Sequence, residues 1–293
     1  MLDLEWPFLG SEALAAKAVP ERAMRALYEA VYPRVYVPWG VELTARQRAC
    51  AAWLWSRRRA VVAGNSAAAL LGTKWVSPTL DAELVHDNRK PPARILVRTD
   101  TLAPREIQVV DGIAVTTPAR TAFGRRTTSR LQAIQRLDAL TNATDVKLTD
   151  VEAVIAEHSG ARGLVRLLRV LPLVDGGTES PQETRTRLVL IDAGLPRPQT
   201  QIRCSTNTGT SLPASTWGTR ICGSALSTTD RNTGQTVSSA TGISTGIAHC
   251  PIWAGRSSGS VASCSDTDRA RWSLALLLQC RQRDGARDRD GRV

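Results

Sequence analysis

Apolar and polar residues follow two rhythms along this chain, and the changes between them mark its expected elements. SEALAAKAV (residues 11–19) and ERAMRALYEA (21–30) carry apolar side chains at helical spacing and predict two short helices, with Pro20 opening the second. VYPRVYVP (31–38) alternates with period two, as a strand does. TARQRACAAWLWSRR (44–58) returns to helical spacing, with Thr44 as N-cap and Ala49, Ala52, Trp53 and Leu54 on the buried face. AVVAGNSAAALLG (60–72) reads as a short strand, a turn and a helix ended by Gly72. Helices followed by a strand pair predict a winged-helix-like module over residues 1–78.

The next stretch is strand-like. AELVH, ARILVRT, EIQVV and GIAVTT are separated by Pro, Asp and Gly and predict a small β unit. Helical spacing resumes in TPARTAF, RLQAIQRLDALTNA, LTDVEAVIAEH and ARGLVRLLRVL, so residues 79–174 are expected to join a β unit to a helical middle. PLVDGGTESP has linker composition, and SPQETRTRLVLIDAG predicts a further helix closed by Gly194. The fold class expected is α+β.

After Ile202 the composition changes: the remaining 91 residues hold no lysine and no glutamate, but 26 Ser and Thr and five cysteines. Without sustained periodicity such a segment has little means of burying a core, so residues 203–293 are expected to be disordered. Cys204, Cys222, Cys250, Cys264 and Cys280 are widely spaced and Cys50 stands alone, a pattern unlike a zinc site, and His249 beside Cys250 lacks a second close pair; no metal site is expected. The amino terminus carries acids where a signal peptide needs basic residues, and no apolar run is long enough to span a bilayer, so a cytoplasmic protein without membrane association is expected.

The formal charge of +11 is spread over both parts of the chain and points to an anionic partner, nucleic acid being the commonest. Arg22, Arg25, Arg34, Arg46, Arg48, Arg57, Arg58 and Arg59, with Lys17, are the candidates for phosphate contact; a solvated basic surface is the plain alternative. Glu179 and Glu183 share one helix face with Arg187 one turn on, which is either the remnant of a carboxylate site for Mg²⁺ or an ordinary amphipathic helix.

The segments EWPFLGSEALAA, YPRVYVPWGVELTARQR, VVAGNSAAALLG, DGIAVTTPARTAF, RLDAL and GGTESPQETRTRLVLIDAGLPRPQTQ resemble an actinobacterial family over residues 5–202. That family joins an AbiEi-like region, named after the antitoxin of an abortive-infection toxin–antitoxin system, to a Vsr-like endonuclease domain of the restriction-endonuclease fold. One departure lies at Gly124, which follows Phe123 where relatives have an Asp-Leu pair. The resemblance implies that residues 175–202 hold the first helix of the nuclease domain, and that intact relatives use Mg²⁺ with an aspartate in an LDMG setting and a glutamate in VEYDG. Neither word occurs in residues 203–293.

Those residues instead fit a shifted reading of the same message. STWGTRICGSALSTTDRNTGQT (Ser215 to Thr236) back-translates so that the neighbouring frame spells LDMGYPDLRVGVEYDGPQHWTD, a string absent from this protein. PIWAGRSSGSVASCSDTDR (Pro251 to Arg269) permits DLGWTIIRVSRELLRYRP in the same way. Loss of one C after the Ile202 codon turns Ile-Pro-Val into the Ile-Arg-Cys found here. The expected function is that of a degenerate, Vsr-like endonuclease-family protein with a truncated nuclease domain, whose remaining activity is DNA binding by the AbiEi-like part. Two other readings stay open: an active Mg²⁺-dependent endonuclease if the shift is a sequencing error, and a protein-interaction module for a partner such as a cognate toxin.

Overall fold

The structure, a computed structural model, describes residues 6–198 apart from Arg89 and Pro196, together with the backbone of three short strands beyond them. It forms two compact units, Met1–Gly176 and Gly177–Val293. The described residues have a mixed α/β composition, as an α+β protein requires.

The first unit opens with β1 (Phe8–Leu9), α1 (Gly10–Ala15), α2 (Glu21–Leu27), β2 (Tyr28–Tyr32) and β3 (Val35–Pro38). The three strands make an antiparallel sheet of order β1-β3-β2. Phe8, Ala13, Val19 and Met24 form its core, with the Phe8 ring edge-on to Tyr28 at 5.1 Å. Helical spacing continues through Ala30, yet α2 ends at Leu27. From Tyr28 onward the chain pairs with β3 instead, Tyr28 opposite Pro38 and Ala30 opposite Tyr36, so non-local pairing overrides local periodicity. The segment read as one strand at 31–38 is the end of β2, a tight turn at Pro33 and Arg34, and β3.

Helix α3 (Ala45–Trp55) is set by a capping box: Thr44 Oγ1 accepts from the Gln47 N–H at 3.2 Å, and Gln47 Oε1 accepts from the Thr44 N–H at 2.9 Å. It packs against β1, β2 and β3 on one side and against α4 and β5 on the other. Ala49, Ala51 and Ala52 are fully buried at these contacts, where small side chains let two layers approach one helix.

The second sheet contains β4 (Val61–Val62), β5 (Ala82–Val85), β6 (Ile95–Arg98), β7 (Ile107–Val110) and β8 (Ile113–Thr116), in the order β6-β5-β4-β8-β7. β4 runs parallel to β8 and antiparallel to β5, β5 is parallel to β6, and β7 and β8 form a hairpin. Val62, Leu84 and Val115, none of them exposed, form the middle of its core. The boundary expected at residue 78 therefore divides a sheet, because β4 belongs between β5 and β8. The hydrogen bonds of a central strand come from residues distant in sequence, and a composition boundary does not register them.

Helix α4 (Gly64–Leu70) follows β4, and α5 (Pro118–Phe123), α6 (Arg130–Ala143), α7 (Leu148–Glu157) and α8 (Leu164–Val170) follow the sheet. Thr117 caps α5 with its hydroxyl, and Pro118 takes the first helical position. α5 packs on α7 and α6 on α8. In the second unit α9 (Pro181–Asp192) carries a small apolar cluster of Leu190, Leu195, Val189 and Ala193. β9 (Thr216–Thr219), β10 (Ser224–Ser227) and β11 (Ile247–Ala248) form an antiparallel sheet of order β11-β10-β9. The remainder of the 203–293 segment, with the expectation of disorder placed on it, lies outside the described residues. Among the described residues no helix is long and apolar enough to cross a membrane.

Gly64 starts α4 at φ +58°, and a Cβ there would collide with the Glu83 carboxylate. Gly72 ends the same region at φ +84° with no atom within 4 Å of an added Cβ. Gly72→Ala is expected to cost about 1–2 kcal/mol, the left-handed backbone penalty alone. Gly64→Ala loses that and roughly a further 1–3 kcal/mol, because Glu83 must leave its partners. Urea denaturation of both variants checks the difference, and equal losses would contradict the close approach.

Candidate functional site

The arginines proposed to meet phosphate fall into two groups. Arg22 and Arg25 are exposed three residues apart on α2, while Met24 faces inward. Arg25 lies 3.5 Å from Glu21, an exposed pair of little strength. Arg34 is exposed at the tip of the β2–β3 turn with φ +72°, a conformation that glycine or asparagine adopts more readily. Arg57 and Arg59 are exposed after α3, and Lys17 is exposed between α1 and α2.

Arg46, Arg48 and Arg58 serve as internal ties. Arg46 donates to the Leu70 carbonyl at 2.9 Å and pairs with Asp111; Arg48 Nε donates to the Pro78 carbonyl at 2.8 Å. Arg58 grips Glu12 with two bonds of 2.5 and 2.7 Å and lies 5.8 Å from the centre of the Trp53 ring. Its hydrogen bond holds the Glu12 carboxyl below the ordinary range.

Glu183 is buried and belongs to the cap of its own helix. Its Oε2 accepts from the Glu179 N–H at 2.9 Å and its Oε1 lies 3.2 Å from the Ser180 hydroxyl, which accepts from the Glu183 N–H at 3.2 Å. A Mg²⁺ ion needs several oxygen ligands in near-octahedral array, and carboxylate oxygens committed to a helix cap do not fit that demand. Among the described residues no group of three His, Cys, Asp or Glu side chains is placed to hold a metal.

The most distinctive polar assembly is one that composition and spacing did not single out. Glu83, on β5, is buried and accepts four hydrogen bonds: from the Asn65 N–H and side-chain amide at 2.9 and 2.8 Å, and from Arg98 Nε and Nη2 at 3.1 and 2.6 Å. Arg125 lies 4.0 Å away and donates to Asn65 Oδ1 at 2.9 Å. Burial alone would raise the Glu83 carboxyl, but Arg125, the Asn65 N–H and Arg98 together hold it below the ordinary range. Desolvation pushes Arg125 down to about 10 against the pull of Glu83. Half-buried Arg136 is lowered by the same cause, with Glu83 again opposing.

A second cluster adjoins the first. Arg120, almost wholly buried, donates to Asp100 at 2.8 Å and has its Nε 3.1 Å from Glu106 Oε1, close enough for ion pairing but not aligned as a hydrogen bond. Glu106 also lies 2.8 Å from His158 Nε2. Arg126 sits 3.9 Å from Asp100 and 4.4 Å from the centre of the Phe123 ring. Burial would raise the Asp100 carboxyl, yet Arg120, Arg126 and Arg98 bring it below its ordinary value. A small crevice of about 10 Å³, room for one water molecule, reaches this assembly, with Gly64, Arg98, Asp100, Thr116, Arg120 and Gly124 in its wall. The only sequence signals were an arginine inside the apolar helix TPARTAF and charges on strands that belong to a sheet core.

No family model matches the chain. Two curated relatives, uncharacterised proteins from the CDC 1551 and H37Rv strains of Mycobacterium tuberculosis, are each 40% identical over 96 residues, 32% of this chain. The chain spans about a third, 35%, of the length of those relatives.

Because Glu83 neutralises buried arginines, Glu83→Gln is expected to cost about 3–5 kcal/mol, the penalty for stranding a buried charge. The wild-type chain is expected to lose stability in acid. Glu83 and Asp100 have depressed folded values, so their contribution is complete above the ordinary carboxyl values of 4.5 and 3.8 and fades as the pH falls below them. Denaturation midpoints measured between neutrality and strong acid check this, and the acid-limb slope is shallower in Glu83→Gln.

Proposed function

We propose that this chain is a nucleic-acid-binding protein of the AbiEi-like, Vsr-like kind, with no nuclease activity of its own. Residues 6–38 supply the contact surface. Two helices between β1 and the β2–β3 hairpin, with sheet order β1-β3-β2, support a winged-helix reading, in which α2 enters a groove and the hairpin turn touches the backbone. The observation that carries the proposal is Arg34. An exposed arginine occupies a left-handed turn position, on the hairpin that follows the helix bearing exposed Arg22 and Arg25. Glycine would relax the backbone there, whereas arginine sets a cation at the tip of the hairpin. Cation-to-phosphate contact accounts for such placement and for the overall charge of +11.

One feature favours the interaction-module reading. Exposed Trp39 and Leu14 border an open groove with Met24, Tyr28 and Tyr36 on the same module, and aromatic-rich surfaces of this kind also receive protein partners.

A gel-shift titration with the full chain at several salt concentrations separates the two. DNA binding is expected to weaken steeply with salt, and each of Arg22→Ala, Arg25→Ala and Arg34→Gly is expected to reduce the log–log salt slope by about 0.9. Arg34→Gly is expected to gain about 1 kcal/mol of stability while losing affinity, a combination that damaged folding cannot produce. Salt-independent or absent binding would leave the groove as the better reading. Plasmid incubated with the chain and Mg²⁺ is expected to stay uncut, and nicking would refute the loss of nuclease activity.

A further inference from the structure

We propose that the groove between α2 and the β2–β3 hairpin binds a small organic cation whose alkylated ammonium head carries an apolar tail. The groove opens to solvent and has a volume of about 560 Å³, within the range of small-molecule sites. Its lining comes from two directions. Helices α1 and α2 contribute Leu14 and Met24, and the hairpin with the residue after it contributes Tyr28, Tyr36 and Trp39. Two of the rings are held from behind: Phe8, in the core of the module, lies edge-on to Tyr28 at 5.1 Å and stacks near Tyr36 at 6.3 Å. Gly10 brings the backbone against the same Tyr36 ring, where an added Cβ would lie 2.6 Å from Cε2. Tyr28 and Tyr36 are half-buried and Trp39 is 61% exposed, so a ring surface already fixed by the core faces an open space. Such a surface costs little ordering when a ligand arrives.

Charge decides what these rings receive. In a chain of net charge +11 the groove wall carries two carboxylates, Glu21 and Glu29, against one guanidinium, Arg25. Arg25 lies 3.5 Å from Glu21, so those two offset each other and Glu29 remains. Among the described residues Glu29 pairs with no cation. Its Oε1 accepts from the Gly40 N–H at 3.2 Å, which ties the carboxylate to the backbone directly after Trp39. A negative surplus on a basic protein, set among rings whose faces are electron-rich, is complementary to a cation.

The scarcity of acceptors selects the head group. A primary ammonium brings three donors that all need partners, whereas the wall offers one uncompensated carboxylate with one oxygen already engaged. An alkylated ammonium makes no such demand and presses its methyl groups against ring faces while its charge stays near Glu29. Leu14 and Met24 continue the lining as apolar surface, which suits an alkyl chain attached to that head. The inference goes beyond both readings above, because neither nucleic acid nor an unmodified protein segment supplies such a ligand.

Isothermal titration calorimetry on the full chain, without DNA, tests the proposal. The probes are choline, its uncharged analogue with carbon in place of nitrogen, and hexyltrimethylammonium. Choline is expected to bind about fivefold more tightly than the uncharged analogue, which has the same shape and lacks only the charge. Hexyltrimethylammonium is expected to bind at least tenfold more tightly than choline, roughly the effect of burying two methylenes of its chain. Trp39→Ala and Glu29→Gln are each expected to weaken hexyltrimethylammonium about fivefold while preserving the thermal unfolding transition, since Trp39 is exposed and a glutamine oxygen still accepts from Gly40. N-acetyl-lysine methylamide and adenosine stand for a peptide side chain and a nucleobase, and both are expected to bind about tenfold more weakly than hexyltrimethylammonium or worse. Equal affinity for choline and its uncharged analogue, no heat with either cation, undiminished binding in either folded variant, or tighter binding of the lysine derivative or adenosine would overturn it.

Discussion

A carboxylate buried in the heart of a five-stranded sheet governs much of this molecule. Glu83 sits on β5, next to the central strand β4, where an apolar side chain would ordinarily stand. Desolvating that charge is tolerable only because Asn65, Arg98 and Arg125 converge on it. Each partner then constrains its own segment. Asn65 belongs to α4, Arg98 ends β6, and Arg125 lies in the turn after α5, so one carboxylate fixes how the helices enter and leave the sheet. The constraint extends to the backbone: Gly64 is the residue that lets the chain pass close to the carboxylate before α4 begins.

The amino-terminal module is joined to this sheet by packing. Helix α3 has strands of one sheet on one side and β5 with α4 on the other, and its run of buried alanines makes both approaches close. Arg58 and Arg46 reinforce the arrangement, one joining the end of α3 to α1 through Glu12 and the other joining its first turn to the β7–β8 turn through Asp111. Such arginines are unsuited to a role at a nucleic-acid surface, because releasing a carboxylate partner offsets the gain of a phosphate. Arg34, Arg22 and Arg25 carry no comparable obligation: the Arg25–Glu21 pair is solvent-exposed and held within one helix.

The sequence was most legible where structure is local. The limits of α6 coincide with the periodic segment 130–143, and Thr44 caps α3 as its side chain and position imply. Legibility failed where distant residues decide. α2 stops short of Ala30 because β3 captures Tyr28 to Tyr32, and β4 joins strands that follow residue 78 because it needs two neighbours. The buried charge cluster was hidden for a related reason. A glutamate in AELVH or an arginine in TPARTAF reads as surface by residue type, and only the fold reveals that Glu83 meets Arg98 and Arg125 and that Arg120 meets Asp100 and Glu106. Glu179 and Glu183 show the converse: an i,i+4 spacing suggests two carboxylates on one helix face, but Glu179 precedes α9 and Glu183 bonds to the Glu179 N–H and the Ser180 hydroxyl at the helix start.

The choice of arginine over lysine or histidine in this cluster has a consequence for its chemistry. A lysine buried to the same degree would move its pKa far enough to shed charge near neutrality, leaving Glu83 without its counter-charge. Arg125, buried beside Glu83, is pushed down only to about 10. The positive charge is therefore permanent throughout the physiological range. The opposing carboxylates of Glu83 and Asp100 are held ionised by the same arginines down to acid pH. Between those limits the electrostatic balance of the cluster is fixed by composition, so the ties it makes between β5, β6 and the segment after α5 persist across the physiological pH range.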